Sequence, residues 1–257
     1  MLNYQKTNFF LLAILLVLLA INFFVPVQWW WFLLIFGIRF VILFIGSFFI
    51  SSNFHVKTYC SNPLENRKII ALTFDDGPNE NTLDILDILK KNNVKAAFFC
   101  IGKNIEKHPE ILKRIMEEGH LVGNHSYSHS NFFDFYRKNR LIAEIQKTDA
   151  LIESITGKKP QFFRPPFGVT NPSIRRALEV TKHKVIGWNI RSLDGILKDG
   201  KIIFDRIKSR MAPGGIVLLH DTEHSVRILE RLMLYLEENK YKVVSVEELL
   251  NIKAYEN

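Results

Sequence analysis

Residues 68–78 read Lys68-Ile69-Ile70-Ala71-Leu72-Thr73-Phe74-Asp75-Asp76-Gly77-Pro78. A short apolar run of this kind, Lys68–Phe74, reads as a strand, and the Gly-Pro pair that follows enforces a turn. The strand therefore ends on two adjacent carboxylates. Working outward, helical periodicity follows over Thr82–Asn92, a second strand over Lys95–Ile101, and a helix over Pro109–Gly119 with glycine as its stop. Strands are expected at Leu121–Asn124, Gln161–Arg164, His183–Asn189, Gly215–His220 and Lys242–Ser245. Helices are expected at Arg137–Thr156, Pro172–Val180, Lys201–Met211 and Ser225–Asn239. Six or seven strands alternating with helices over about 200 residues point to a small or distorted (β/α) barrel of the α/β class more than to an open sheet.

Upstream of this unit the composition changes. The first acidic residue is Glu65, and only Lys6, Arg39 and Lys57 precede it as charged side chains. The apolar stretches at about 9–25 and 29–50, separated by Pro26, have roughly the length of spanning helices. A second, longer apolar segment following the first at once argues for retained helices rather than a cleaved signal. The expected organisation is a membrane anchor of two transmembrane helices (1–56) and a catalytic domain (57–257). Trp29, Trp30 and Trp31 suit an interfacial belt at the hairpin tip, and Arg39 must face the partner helix, the folded domain or a water defect. The tip carries no Lys or Arg, so charge bias favours a cytoplasmic domain.

The net charge of +8 does not mark a nucleic-acid partner, because cations such as Lys113 and Arg114 stand beside Glu117 and Glu118 on one helix. Nor is an obligate protein partner indicated. Cys60 and Cys100 form no CxxC pair, which argues against both a disulfide framework and a structural zinc knuckle.

Four further clusters stand at strand ends. Gly123-Asn124-His125-Ser126-Tyr127-Ser128-His129 places two imidazoles four residues apart, and with Asp76 they make an Asp-His-His set that leaves positions open for water and substrate. Adjacent Asp75 and Asp76 point in different directions, so one can bind a metal while the other faces substrate. Phe163-Arg164-Pro165-Pro166-Phe167-Gly168 is a stiffened loop whose arginine can orient Asp75 by a bidentate hydrogen bond and whose Phe167 N–H can donate to an oxyanion. Trp188-Asn189-Ile190-Arg191-Ser192-Leu193-Asp194 offers Asp194 to hold His220 protonated, and Leu218-Leu219-His220-Asp221 ends a strand on that histidine. Taken singly, Asp-Asp-Gly-Pro is as well read as a turn.

Together and in this order, TFDDGP, HSYSH, RPPFG, WNIRSLD and LLHD resemble the polysaccharide deacetylase domain (NodB homology, carbohydrate esterase family 4) over Lys68–Leu250. The resemblance implies Asp75 as general base, Asp76, His125 and His129 as metal ligands and His220 as general acid. It further implies Arg164 tuning Asp75, Asp194 tuning His220, and Phe167, Leu218 and Trp188 as substrate-binding residues, Leu218 lining an acyl-methyl pocket. Many members carry a tryptophan after the position of Asp194; here it is Gly195. One divalent ion is implied, zinc foremost, with cobalt, nickel or manganese as alternatives. The expected reaction is hydrolysis of a non-peptide C–N bond, N-deacetylation of an amino sugar in a glycan such as peptidoglycan. The alternatives are a deacylase or deformylase of a lipid-linked amino sugar and an inactive glycan-binding membrane protein. With the hairpin, the expected partners are an N-acylated amino-sugar glycan or lipid-linked sugar and the lipid bilayer of a bacterial inner membrane. Family resemblance favours a domain outside that membrane, against the charge bias.

Overall fold

In the computed structural model residues 3–256 are described; Met1, Leu2 and Asn257, the outermost residues of the two expected segments, lie outside them. Two long helices come first, α1 (Tyr4–Phe24) and α2 (Trp30–Phe48). Beyond the polar first turns of α1 both are apolar around their circumference, and few of their residues are buried by the rest of the protein. By length and composition they suit membrane association or a signal sequence. Arg39 faces the partner helix, where its guanidinium donates to Asn8 Oδ1. Asn22 Oδ1 accepts from the Val27 N–H at 2.8 Å and closes the tip.

The rest is a sheet wrapped by helices: β1 (Thr58–Tyr59), β2 (Ile69–Asp75), α3 (Glu80–Lys91), β3 (Ala97–Cys100), α4 (Gly102–Lys107), α5 (Pro109–Glu117), β4 (Leu121–Asn124), α6 (Lys138–Thr156), β5 (Phe162–Phe163), α7 (Pro172–Thr181), β6 (Lys184–Ile186), β7 (Ile190–Arg191), α8 (Gly200–Arg210), β8 (Gly215–His220), α9 (Glu223–Glu238), β9 (Lys242–Val243) and α10 (Val246–Leu250). The strand order is β1-β6-β5-β4-β3-β2-β8-β7, with β9 also on β2, and every pairing is parallel. Among the described residues the end strands β1 and β7 do not pair with each other, so the barrel is a distorted half-barrel.

Strand β2 is its axis, with all seven residues buried. Because side chains alternate along a strand, Ile70, Leu72 and Phe74 join Phe98, Val217 and Leu219 in a core under α3, α5 and α9. Ala71 faces the other way, with Phe99, Phe162, Ile216 and Leu249. Each fully buried Leu, Ile or Phe contributes about 1.5–3 kcal/mol, which fixes the register of β2 against β3 and β8. That register sets Asp75 beside Phe99 on one side and His220 on the other, and gathers the C-terminal strand ends at one edge.

The expected strands at Gln161–Arg164 and His183–Asn189 are shorter in the structure. The second stops at Ile186, and the Asn189 side chain then takes over a ladder position by accepting from the Ile216 N–H at 2.8 Å. The elements β1, β7, α4 and α10, two to six residues each, are additions to the sequence reading.

The hairpin runs into this domain without a slack linker. Ile50 is buried with Phe133, Phe163 and Val185, and the Phe54 ring packs on the Gly46 backbone. Ser47 accepts at its carbonyl from the Thr170 N–H at 3.0 Å. Cys60 and Cys100 are both free thiols.

Candidate active site

The TFDDGP loop leaves β2 with Asp76 in the left-handed region at φ 72°, which turns its carboxylate away from that of Asp75. The loop is held from three sides. Ile101 donates to the Gly77 carbonyl at 2.8 Å, Asn104 Nδ2 donates to the Asp76 carbonyl at 2.7 Å, and the Thr82 hydroxyl bonds Asp221. Asp221 lies so close to Gly77 that no Cβ fits between them. Burial pushes the Asp221 carboxyl up to about 7.

The HSYSH loop leaves β4, and Asn124 shapes its start. Its Oδ1 accepts from the Ser126 N–H at 2.8 Å while its Nδ2 donates to Ile145 O and Asp149 Oδ1. Ser126 and His129 both take positive φ, 63° and 44°, and this reversal brings the second imidazole back over the first. The two rings are 4.8 Å apart. His125 Nδ1 lies 2.7 Å from the Arg164 carbonyl, which only accepts, so Nδ1 carries the proton and Nε2 keeps its lone pair.

Among the described residues, the ligand atoms of Asp76, His125 and His129 converge to within 4.8 Å of one another. Asp76 Oδ1 is 3.5 Å from His125 Nε2 and 3.4 Å from His129 Nε2, and it is buried without a hydrogen-bond partner. A buried carboxylate oxygen with no donor, facing two imidazole lone pairs, fits a divalent cation. The electrostatics agree. Burial works to lower His125, but Asp75 and Asp76 beside it raise it, so the field that draws a proton also favours a cation. One carboxylate oxygen and two imidazole nitrogens suit zinc.

Arg164 is fully buried behind Asp75. The expected bidentate bond is replaced by a single one: Nη1 donates to Asp75 Oδ1 at 2.6 Å and to Thr73 Oγ1 at 2.9 Å. Nε and Nη2 go instead to the carbonyls of Ile186 and Gly187, which β6 leaves unpaired where it ends. The RPPFG loop then turns through Phe167 at φ 59° and Gly168 at φ 71°. A Cβ on Gly168 would stand 2.5 Å from Trp188 Cη2, so the indole requires glycine there. The Phe167 N–H takes no backbone acceptor among the described residues.

Across the cavity, His220 Nδ1 donates to Asp194 Oδ1 at 2.7 Å, and Asp194 Oδ2 accepts from the His220 N–H at 2.7 Å. Ser192 and Ser225 hydroxyls also bond this carboxylate. Burial works to lower His220, yet the Asp194 bond and charge carry it up to about 9. A cavity of about 240 Å³ is lined by Asp75, Asp76, His125, His129, Phe167, Trp188, Leu218 and His220, with Arg164 and Asp194 behind the wall. Arg191, Leu193, Gly195 and Ile196 line it too. Sequence reasoning singled out Gly195 but left Arg191, Leu193 and Ile196, and Asn104, Asn124, Thr82 and Asp221 around them, without a role; Arg191, Leu193, Asn124 and Asp221 carried a signal as members of the quoted clusters.

A family model described as polysaccharide deacetylase matches residues 63–186. The peptidoglycan-N-acetylglucosamine deacetylase of Bacillus cereus is 35% identical over 195 residues, covering 72% of this chain and 69% of the relative. The peptidoglycan-N-acetylmuramic acid deacetylase PdaC of Bacillus subtilis is 37% identical over 190 residues, 73% of this chain but 40% of that longer protein. Among solved structures, the Bc1960 peptidoglycan N-acetylglucosamine deacetylase superposes with a TM-score of 0.72 at 33% identity, over 77% of this chain and 95% of that one. BA3943, a CE4 family pseudoenzyme from Bacillus anthracis, superposes with a TM-score of 0.68 at 32% identity, over 72% of this chain and 66% of that one. Fold likeness thus extends to a protein described as a pseudoenzyme, so fold alone does not carry the activity. With sequence identity, fold and cavity in agreement, the chain belongs to the polysaccharide deacetylase family.

Proposed function

We propose that the chain is a membrane-anchored deacetylase that hydrolyses the acetamide of an amino sugar in a cell-envelope glycan, peptidoglycan foremost, as its relatives' names describe for them. The observation that carries this reading is the single cavity with Asp76, His125 and His129 converging on one wall and Asp75 and His220 facing it. The hydrolase acts on a non-peptide C–N bond with one divalent ion. Asp76 Oδ and the Nε2 atoms of His125 and His129 would hold that ion, which supplies Lewis-acid polarisation of the amide and a lowered water pKa.

Asp75 Oδ2 accepts a proton from the attacking water, since Arg164 Nη1 holds Oδ1. As the water oxygen bonds the acyl carbon, the Phe167 N–H donates to the developing oxyanion. His220 Nε2 then gives its proton to the amide nitrogen as the C–N bond breaks, and Asp194 stabilises the imidazolium until that moment. The products are a carboxylic acid and a free amine. Leu218 and Trp188 wall the acyl group, and Gly195, a neighbour of the His220 ring without a side chain, leaves that wall open where many relatives place tryptophan.

The domain division at residue 56 and the insertion of α1 and α2 as a spanning hairpin belong to this reading. They are supported by the two apolar helices, by their open surface and by the Arg39–Asn8 pair, which satisfies a guanidinium inside the hairpin. The hairpin also favours a second substrate, a lipid-linked amino sugar. Incubating the protein with N-acetylated oligosaccharides and with lipid-linked amino sugars, plus and minus chelator, tests both. Chelator-sensitive acetate release is expected, and its absence from every substrate overturns the proposal. A reporter fused to the C-terminus reads the side of the membrane.

A further inference from the structure

We propose that the loop of residues 130–136 is a second membrane contact, with Phe132 and Phe135 seated in the headgroup region of an anionic bilayer so that the catalytic cavity opens along the membrane surface; this rests on the reading of α1 and α2 as membrane-inserted. Among the described residues after Phe49, the exposed phenylalanines are Phe132, Phe135 and Phe167. Phe132 and Phe135 are 70% and 82% exposed, more than most apolar side chains of the hairpin itself. Folding in water gives no reason to hold two aromatic side chains outward on one short loop, whereas an interface that is apolar on one side and wet on the other does.

Their placement says what covers them. Phe133, between them, points inward and is buried in the same cluster as Ile50 at the foot of the hairpin. The carbonyl of Asp134 accepts from Asn171 Nδ2 at 2.7 Å, and the neighbouring Thr170 N–H donates to Ser47 near the end of α2. The loop is thus tied toward the base of the hairpin by a buried ring that shares a cluster with Ile50, and by one hydrogen bond to Asn171, whose neighbour Thr170 bonds Ser47. Arg137 and Arg140, both exposed, follow at once, and the Arg140 guanidinium stacks on Tyr136 at 3.6 Å. Cations behind an aromatic edge complement anionic headgroups. The one carboxylate of the loop, Asp134, has Oδ1 buried.

The loop adjoins the cavity, whose lining includes His129 and Phe167. It begins just after His129, and the Phe167 ring lies 4.9 Å from the His129 ring. A loop seated on the bilayer therefore presents the site to amino sugars held at the membrane surface, which assigns this site a lipid-linked or membrane-apposed substrate over distant polymer.

The test uses the full chain with Cys60→Ser, in nanodiscs of phosphatidylethanolamine and phosphatidylglycerol, with a nitroxide on Phe135→Cys or, as control, on Glu238→Cys at the exposed end of α9. At 135 oxygen is expected to relax the nitroxide more than a polar nickel chelate does, and at 238 the reverse. The same ratio at both sites overturns the contact. In parallel, Phe132→Ser/Phe135→Ser should lower turnover of a lipid-linked N-acetylated sugar in those nanodiscs about five-fold or more, while turnover of a soluble N-acetylated oligosaccharide holds. Equal turnover of the lipid-linked sugar by variant and parent overturns the substrate assignment. The nitroxide reads position without turnover, so failure of the deacetylase reading leaves that arm intact, and failure of the contact leaves soluble-substrate activity intact.

Discussion

Arg164 heads the fully buried side chains by volume, and every one of its nitrogens has an acceptor: one carboxylate, one hydroxyl and two carbonyls. Replacing it with Met leaves the Asp75 charge buried without its cation, so a loss of about 3–5 kcal/mol is expected in urea unfolding, along with most turnover. Asp75→Asn removes the proposed base while sparing the three proposed ligands. Turnover should fall roughly 10²- to 10⁴-fold with metal content unchanged, and near-parental rates with full metal would rule the assignment out. The His220–Asp194 pair gives a pH prediction with a definite sign. His220 titrates near 9 in the folded protein against an ordinary 6.5, so the pair's contribution to stability is complete below about 6.5 and is lost as pH rises through about 9. The alkaline limb of kcat/KM should stand near 9 and move to lower pH in Asp194→Asn, because burial is then opposed only by the charges of Asp75 and Asp76. A limb that stays in place would show that His220 is not the acid.

At the scale of elements, the loops at the strand ends behave as parts fitted against each other. Gly168 bears on Trp188 and takes φ 71°, so Gly168→Ala is strained twice over, and a rise in KM together with about 1 kcal/mol or more of lost stability is expected from kinetics and thermal unfolding. Much of this layer was legible in the sequence, because strand ends of a parallel sheet carry their functional side chains in short contiguous runs such as TFDDGP and HSYSH. The strands were readable too, since β2 and β8 are long enough to show an unbroken apolar pattern. What escaped was too short or too distant to leave a pattern. The two-residue strands β1 and β7 are defined only by their neighbours. Helix α4 has six residues, yet its first turn clamps two loops at once, Gly102 and Lys103 donating to the carbonyls of Ser126 and Tyr127 while Asn104 holds Asp76. The bidentate expectation for Arg164 failed for a similar reason: the carbonyls competing for its donors belong to residues 22 and 23 positions away.

For the whole molecule, the metal site and the foot of the hairpin are two links that bind separate parts. Removing a divalent ion with chelator should abolish turnover and lower the melting temperature, and adding zinc back should restore both, since a ligand that binds only the folded state stabilises it by mass action. A chain begun at residue 57 gives up Ile50 and Phe54, which are buried in the domain or against its foot, so it should melt at lower temperature than a chain begun at residue 45. The absence of slack between α2 and β1 has a consequence of its own. An enzyme on a floppy stalk sweeps a sphere, whereas on the membrane-anchored reading this one would be held to its hairpin through Ser47–Thr170 and the Ile50 cluster. A body of about 200 residues has a radius of gyration of roughly 16 Å, and that length, rather than any tether, sets how far from the bilayer a sugar can be and still be reached. On the membrane-anchored reading the fold is then a ruler, and the amino sugars within its reach are those held at one fixed height above the bilayer.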